Sequence, residues 1–264
     1  MREITKEDLK SAKLHFGHRT FKWHPKFKRF VYKKKYGMHF IDLVKTQEYL
    51  EEARKVAFNY GKEGKSILWV GTKKQAASII KEWAEKTDSL YVNLRWLAGT
   101  LTNFKTIKER LVYINELEKI LEKKDDNRDR VYTKKEIIKL ERDYNKLLRD
   151  FSGVRKMKKQ PDLLFVVDVR KEYLAVNEAR KLGIPIMAIV DSNINPDHIN
   201  YVIPGSDDSM KAIDYVISVI GEAYLEGKSM FQKKKSDDSG IDEFPIDEEG
   251  KSEDDEKNTK SSEK

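Results

Sequence analysis

Residues 162–191 read DLLFVVDVRKEYLAVNEARKLGIPIMAIVD, and this stretch decides the fold. Leu163 to Val167 and Ile184 to Val190 are continuous apolar runs, the pattern of strands covered on both faces of a parallel sheet. Between them, KEYLAVNEARKLG alternates as an amphipathic helix and closes at Gly183. Strand, helix and strand in so short a span make a βαβ unit.

The same rhythm extends outward in both directions. Upstream, Ile67 to Val70 predicts a strand, and Ala76, Ile79, Ile80 and Trp83 predict a helix after it. A shorter strand is expected at Leu90 to Leu94. Downstream, the turn-rich SNINPDHIN leads to a short strand at Tyr201 to Ile203. A last helix follows, capped by Ser206, Asp207 or Ser209, with Ile213, Val216, Ile217, Ile220 and Ala223 on one face. Strands alternating with helices predict an open, doubly wound α/β sheet.

Residues 103–152 break the rhythm. Ile107, Leu111, Ile114, Leu117 and Leu121 form one narrow apolar seam, and Ile137, Leu140, Tyr144, Leu147 and Phe151 form another. Thr133 and Glu136 have the spacing of a capping box, and the intervening KKDDNRDR is too charged for a core. The expectation is an antiparallel helical hairpin that projects from the sheet domain with a charged tip.

Charge is distributed unevenly. From Ser236 onward there are 12 acidic and 4 basic residues, so residues 232–264 are expected to be a disordered acidic tail on a domain spanning 1–231. The remainder carries 49 Lys and Arg against 33 Asp and Glu, a net charge of about +16 that suits a polyanionic partner. The chain has no cysteine, which excludes disulfides, thiolate metal sites and cysteine nucleophiles. The first twenty residues lack an apolar signal region, and no run is long enough to span a membrane, so no membrane partner is expected.

The phosphate chemistry suggested by VGTKKQA does not develop into a nucleotide site. Gly71 is not followed by the second glycine and Lys-Ser/Thr of a P-loop, and no G-x-G-x-x-G follows any predicted strand. The turn is left with one phosphate at most, beside Lys73 and Lys74, and RNA offers that group too. Asp168 and Asp191 follow strands, where α/β enzymes place carboxylates, but capping of the next turn is the reading taken. His15 and His18 have no third ligand near them in sequence, so a packed pair is expected. No catalytic residue, metal, cofactor or small-molecule substrate is assigned.

Nucleic acid is the better-supported partner. RTFKWHPKFKRFVYKKKY at 19–36 interleaves basic and aromatic residues in what reads as an extended, irregular segment. The charges come first as RNA contacts: Arg19, Lys22, Lys26, Lys28, Arg29, Lys33, Lys34 and Lys35, with Trp23 and His24 among them. Trp23, Phe27 and Phe30 are equally readable as packing anchors. Lys73 and Lys74 join the set, as do Arg95, Trp96, Asn103, Lys105 and Lys108 around the turn entering the hairpin. The acidic tail is expected to compete for this patch or to repel stray RNA.

Taken in order, HFGHRTFKWHPKFKRFVY, GMHFIDLVKT, VGTKKQA, VNLRWLAGTLTNFKTI and PDLLFVVDVRKEYLAVNEARKLGIPIMAIVDSNINPDHINYVIPGSDDSMKAI resemble the bacterial-type family of the second protein of the small ribosomal subunit. The resemblance covers roughly residues 4–228. It implies a flavodoxin- or Rossmann-like parallel sheet flanked by helices, with an inserted antiparallel coiled-coil hairpin and no enzymatic activity. It implies contacts with 16S-type rRNA between head and body, and with neighbouring small-subunit proteins including the large mRNA-binding first protein. The expected location is a cytoplasmic or organellar ribosome. A protein-interaction module on a Rossmann-like scaffold, without RNA, is the alternative.

Overall fold

Strands whose every residue is apolar can satisfy both faces only by lying between two layers, and the chain folds that way. The computed structural model describes residues 3–122 and 132–238. Five parallel strands form the central sheet: β4 (Ile67–Val70), β5 (Leu90–Val92), β6 (Leu163–Val167), β7 (Ile186–Val190) and β8 (Tyr201–Pro204). Their order is β5-β4-β6-β7-β8, all parallel, which is the flavodoxin-like winding. Alternate residues go to opposite sides. Ile67, Trp69, Phe165, Val167, Met187 and Ile189 enter one core, and Leu68, Val70, Leu164, Val166, Ala188 and Val190 enter the other.

The first core is roofed by α1 (Lys6–Ser11), α2 (Leu43–Lys62), α3 (Ala77–Lys86) and α7 (Met210–Asp238). The sequence pattern does not single out α2, because its buried face is Thr46, Leu50, Ala53, Ala57 and Gly61, mostly small residues. Small residues are what the packing requires. A Cβ on Gly61 would stand 2.3 Å from the carbonyl oxygen of Tyr224, and one on Gly227 would stand 2.1 Å from that of Phe58. The backbones of α2 and α7 therefore touch where they cross.

The second core lies under α6 (Tyr173–Lys181) and α4 (Phe104–Glu122), with Phe151 at the end of α5 (Lys134–Phe151). Gly183 closes α6 with φ +70°, as expected. The capping box also forms: Glu136 accepts at 2.8 Å from the Thr133 N–H and hydroxyl, and Thr133 Oγ1 accepts from the Glu136 N–H. The helices α4 and α5 pack on each other, and Tyr144 Oη donates to Glu118 at 3.0 Å. On α4, Ile107, Leu111, Ile114 and Leu117 are buried, whereas the α5 seam is half-buried until Phe151. The charged tip at 123–130 lies outside the described residues.

Element ends shift for identifiable reasons. Strand β7 begins after Pro185, whose missing N–H cannot join a ladder, and β5 ends at Val92 rather than Leu94. Among the proposed caps of α7, Ser209 takes the position, its Oγ accepting from the Ala212 N–H at 3.4 Å. Helix α7 also runs to Asp238, past the domain boundary expected at 231, because no Gly or Pro lies between Gly227 and Gly240. The rest of the acidic tail, 239–264, lies outside the described residues.

The N-terminal basic segment is more regular than its sequence suggests. Strands β1 (Phe16–Arg19), β2 (Val31–Lys35) and β3 (Met38–Ile41) form a second, antiparallel sheet in the order β1-β3-β2. Tyr36 and Gly37, at φ +53° and +71°, make the two-residue turn that pairs Lys35 with Met38. Short 3-10 turns at Thr20–Lys22 and Pro25–Phe30 connect β1 to β2. Phe27 and Phe30 are buried in the second core and anchor the segment.

Candidate nucleic-acid interface

The small sheet sits across the carboxyl ends of the parallel strands. His18 N–H donates to Ser192 Oγ at 2.9 Å and to Asp191 Oδ1 at 3.2 Å, and His24 N–H donates to the Ser192 carbonyl at 2.7 Å. Strand β2 is an edge, and Lys33, Lys34 and Lys35 are all exposed on it. Among the described residues none of the three forms an ion pair. Their ammonium groups lie over rings instead: Lys34 Nζ is 4.7 Å from the Trp23 centroid, Lys35 Nζ 4.7 Å from Tyr36, and Lys33 Nζ 5.4 Å from Tyr32. Lys22, over Phe21, extends the same surface, and Arg19 and Lys28 are exposed beside it.

Three rings on this surface were missed as candidate contacts from sequence. Tyr36 is 80% exposed, Phe21 71% and Tyr32 68%. The signal was their place between lysines on a strand and turn, which an irregular reading of the segment concealed. Trp23 is half-buried, 5.0 Å from the buried His39 ring. Lys26 and Arg29 turn to Asp197: Lys26 bridges it directly, and Arg29 approaches to 3.8 Å. His24 caps the following 3-10 turn, accepting from the Lys26 N–H at 3.3 Å.

The second candidate cluster surrounds the entry to α4. Arg95, Asn103, Lys105 and Lys108 are exposed, but Trp96 is buried, its indole N–H donating to Glu178 Oε1 at 3.0 Å.

The glycine turn after β4 is occupied by the chain's own carboxylates. Thr72 donates from its N–H and hydroxyl to Glu172 Oε1, at 2.8 and 2.6 Å. A carboxylate thus takes the donors that a phosphate would need. Burial pushes the Glu172 carboxyl up, against those hydrogen bonds. Gly71 is buried, and a Cβ there would lie 2.4 Å from Ile80, so the glycine serves helix packing. Lys73 turns inward to Asp208, Asp207 and Asp168, at 2.5, 3.0 and 3.3 Å. Only Lys74 of the pair is exposed.

The two histidines of HFGH part company. The His15 ring packs 4.1 Å from Phe16, and burial with Lys10 nearby lowers its pKa. His18 Nδ1 lies 2.9 Å from Asp191 Oδ2, and the Asp191 carboxylate raises its pKa against the effect of burial. One ligand atom each from His18, Asp191, Asp207 and Asp208 lie within 4.8 Å of one another, the dimensions of a divalent-cation site. Sequence spacing names none of these as ligands, because three of the four come from the far end of the chain. Burial, then Asp191 and Asp168, push the Asp207 carboxyl up to about 7, which Lys73 opposes.

No described helix is long and apolar enough to cross a membrane. The profile of the family described as ribosomal protein S2 matches residues 9–227. The small ribosomal subunit protein uS2 of Dictyoglomus thermophilum is 46% identical over 234 residues, 89% of this chain and 94% of that protein. Its counterpart in Dictyoglomus turgidum is 45% identical over the same length and coverage. A match across both sheets and the helices between them leads to one conclusion: the chain belongs to the ribosomal protein S2 family, which is structural and not enzymatic.

Proposed function

We propose that the chain is a structural constituent of the small ribosomal subunit that binds 16S-type rRNA through its N-terminal sheet. The observation that carries this reading is an edge strand and its turn, residues 32–36, on which exposed Tyr32 and Tyr36 flank three exposed lysines that form no ion pair among the described residues. Lysines release counterions from phosphates, and rings stack on unpaired bases. Within the candidate set, Arg19, Lys22, Lys28, Lys33, Lys34 and Lys35 are the primary contacts, with Phe21, Tyr32 and Tyr36 as stacking partners. Arg95, Asn103, Lys105 and Lys108 form a second contact. The helices α4 and α5 serve as a protruding coiled-coil hairpin, and the acidic tail moderates non-specific binding.

A protein contact beside the same sheet is supported by a cleft of about 440 Å³ between β2, β3 and the start of α2, where Tyr32, Phe40 and Leu43 meet Lys10, Lys33 and Asp42. We assign it to neighbouring small-subunit proteins, the large mRNA-binding first protein among them. Lysines on an edge strand also discourage stray strand pairing, so exposure alone does not decide for RNA. Sedimentation of a native lysate through sucrose does. The chain is expected to travel with small subunits at low magnesium and to leave them only as salt rises. A chain that stays at the top of the gradient beside intact subunits would refute the reading.

A further inference from the structure

A buried carboxylate on one helix holds a loop that is distant in sequence and flanked by basic residues. Glu178 of α6 is only 8% exposed, and no cation pairs with it among the described residues. Its Oε1 accepts from the Trp96 indole N–H at 3.0 Å and from the Gly99 N–H at 2.8 Å. Its Oε2 accepts from the Leu101 and Thr102 N–H groups at 3.0 and 3.1 Å, and from the Thr102 hydroxyl at 3.1 Å. Five donors from residues 96–102 therefore converge on one side chain. Burial opposes its ionisation, and the donors of Trp96, Gly99, Leu101 and Thr102 outweigh that effect and hold its pKa below the ordinary range. The loop itself turns at Gly99, whose φ of +90° glycine reaches without a steric penalty.

We propose that Glu178 is the positioning residue for a second ribosomal contact, presenting Arg95, Asn103 and Lys105 in a fixed arrangement at the entry to α4. The proposal rests on the rRNA-binding reading above. Arg95 and Asn103 bracket the stretch that Glu178 holds, and Lys105 stands on the first turn of α4. The loop cannot shift without stranding buried donors or the carboxylate, so its outward side chains are ordered before they meet a partner. Ordering in advance reduces the entropy lost on binding.

The test measures binding of the full chain to small subunits depleted of it, over a range of salt, with melting temperatures recorded alongside. Glu178→Gln keeps the shape but turns an amide NH2 toward donors. The expected result is binding weakened about tenfold, with a salt slope smaller by about one to two, the share of Arg95 and Lys105. Loss of fold stability alone does not change the slope while the protein stays folded at the assay temperature. Combined with Arg95→Ala and Lys105→Ala, Glu178→Gln is expected to add little; fully additive losses would overturn the proposal. Wild-type binding and slope in a folded Glu178→Gln protein would overturn it too. If that variant does not fold, Trp96→Phe removes one donor and keeps an aromatic ring, and is expected to weaken binding in the same direction; wild-type behaviour there would also refute it. If Arg95→Ala/Lys105→Ala weakens binding and Glu178→Gln does not, Glu178 alone is excluded. If neither these nor Lys33, Lys34 and Lys35 matter, the rRNA reading itself fails.

Discussion

Lys73 and the lysines of β2 look alike in sequence and are opposites in the fold. Lys33, Lys34 and Lys35 stand on an edge strand over aromatic rings, with no carboxylate beside them among the described residues. Lys73 sits in a glycine turn of the kind that binds phosphate, yet its side chain is 14% exposed and its ammonium meets three aspartates. The difference shows that a lysine's role is set by what the tertiary structure brings to it. Where carboxylates arrive from elsewhere, the charge is consumed in holding the fold. Where none arrives, it remains available to a partner.

The sharpest way to break this comparison is to remove each group in turn. Lys73→Ala leaves Asp207 and Asp168 facing each other in a buried site, and is expected to cost on the order of 3 kcal/mol in chemical denaturation. Its effect on subunit binding should follow only from the smaller folded fraction. Replacing Lys33, Lys34 and Lys35 together by alanine should do the reverse. Stability is expected to stay within about 0.5 kcal/mol, as for other exposed sites. The salt slope of binding should fall by about two to three, since each phosphate contact contributes roughly 0.7–0.9. Equal effects from both variants, in either assay, would dissolve the distinction.

Acid sharpens it further, because Glu178 is another charge consumed by the fold. Its pKa is held below the ordinary 4.5, so the stability it contributes is present above that pH and lost as pH falls through its folded value. The stability gap between wild type and Glu178→Gln should therefore narrow on acidification below about pH 4.5, as followed by urea denaturation at each pH. A gap that stays constant would mean that charge is not what holds the loop. The smallest effect is expected from deleting residues 239–264. Low-salt affinity for unrelated RNA should rise a few-fold, as the acidic tail no longer competes for the β2 lysines, and an unchanged affinity removes that idea.

How much was legible depended on the kind of signal. Strands β4, β6 and β7 were readable because every residue is apolar, and the α5 cap because Thr133 and Glu136 lie three apart. Helix α2 was not, since its contact face is alanine, threonine and glycine, chosen for close approach rather than hydrophobicity. The N-terminal sheet carried a real hairpin signal in Tyr36-Gly37, overshadowed by the density of charge on either side. In the candidate site, Arg95, Lys105 and the β2 lysines were legible as surface charge, since lysine and arginine stay exposed unless a carboxylate meets them. Burial of Trp96 and the inward turn of Lys73 were not, and Glu178 looked like one more surface charge on an amphipathic helix.

The sequence by itself determined the layered α/β architecture, the helical pair inserted in it and the basic character of the body, because periodicity, caps and composition are local properties. Only the tertiary structure decided which charges face solvent. Lys73 meets Asp207 across 134 residues and Glu178 meets Trp96 across 82, and no local pattern encodes contacts closed over such distances. Those contacts exist because buried charge must find partners, and the fold supplies them from wherever the chain returns.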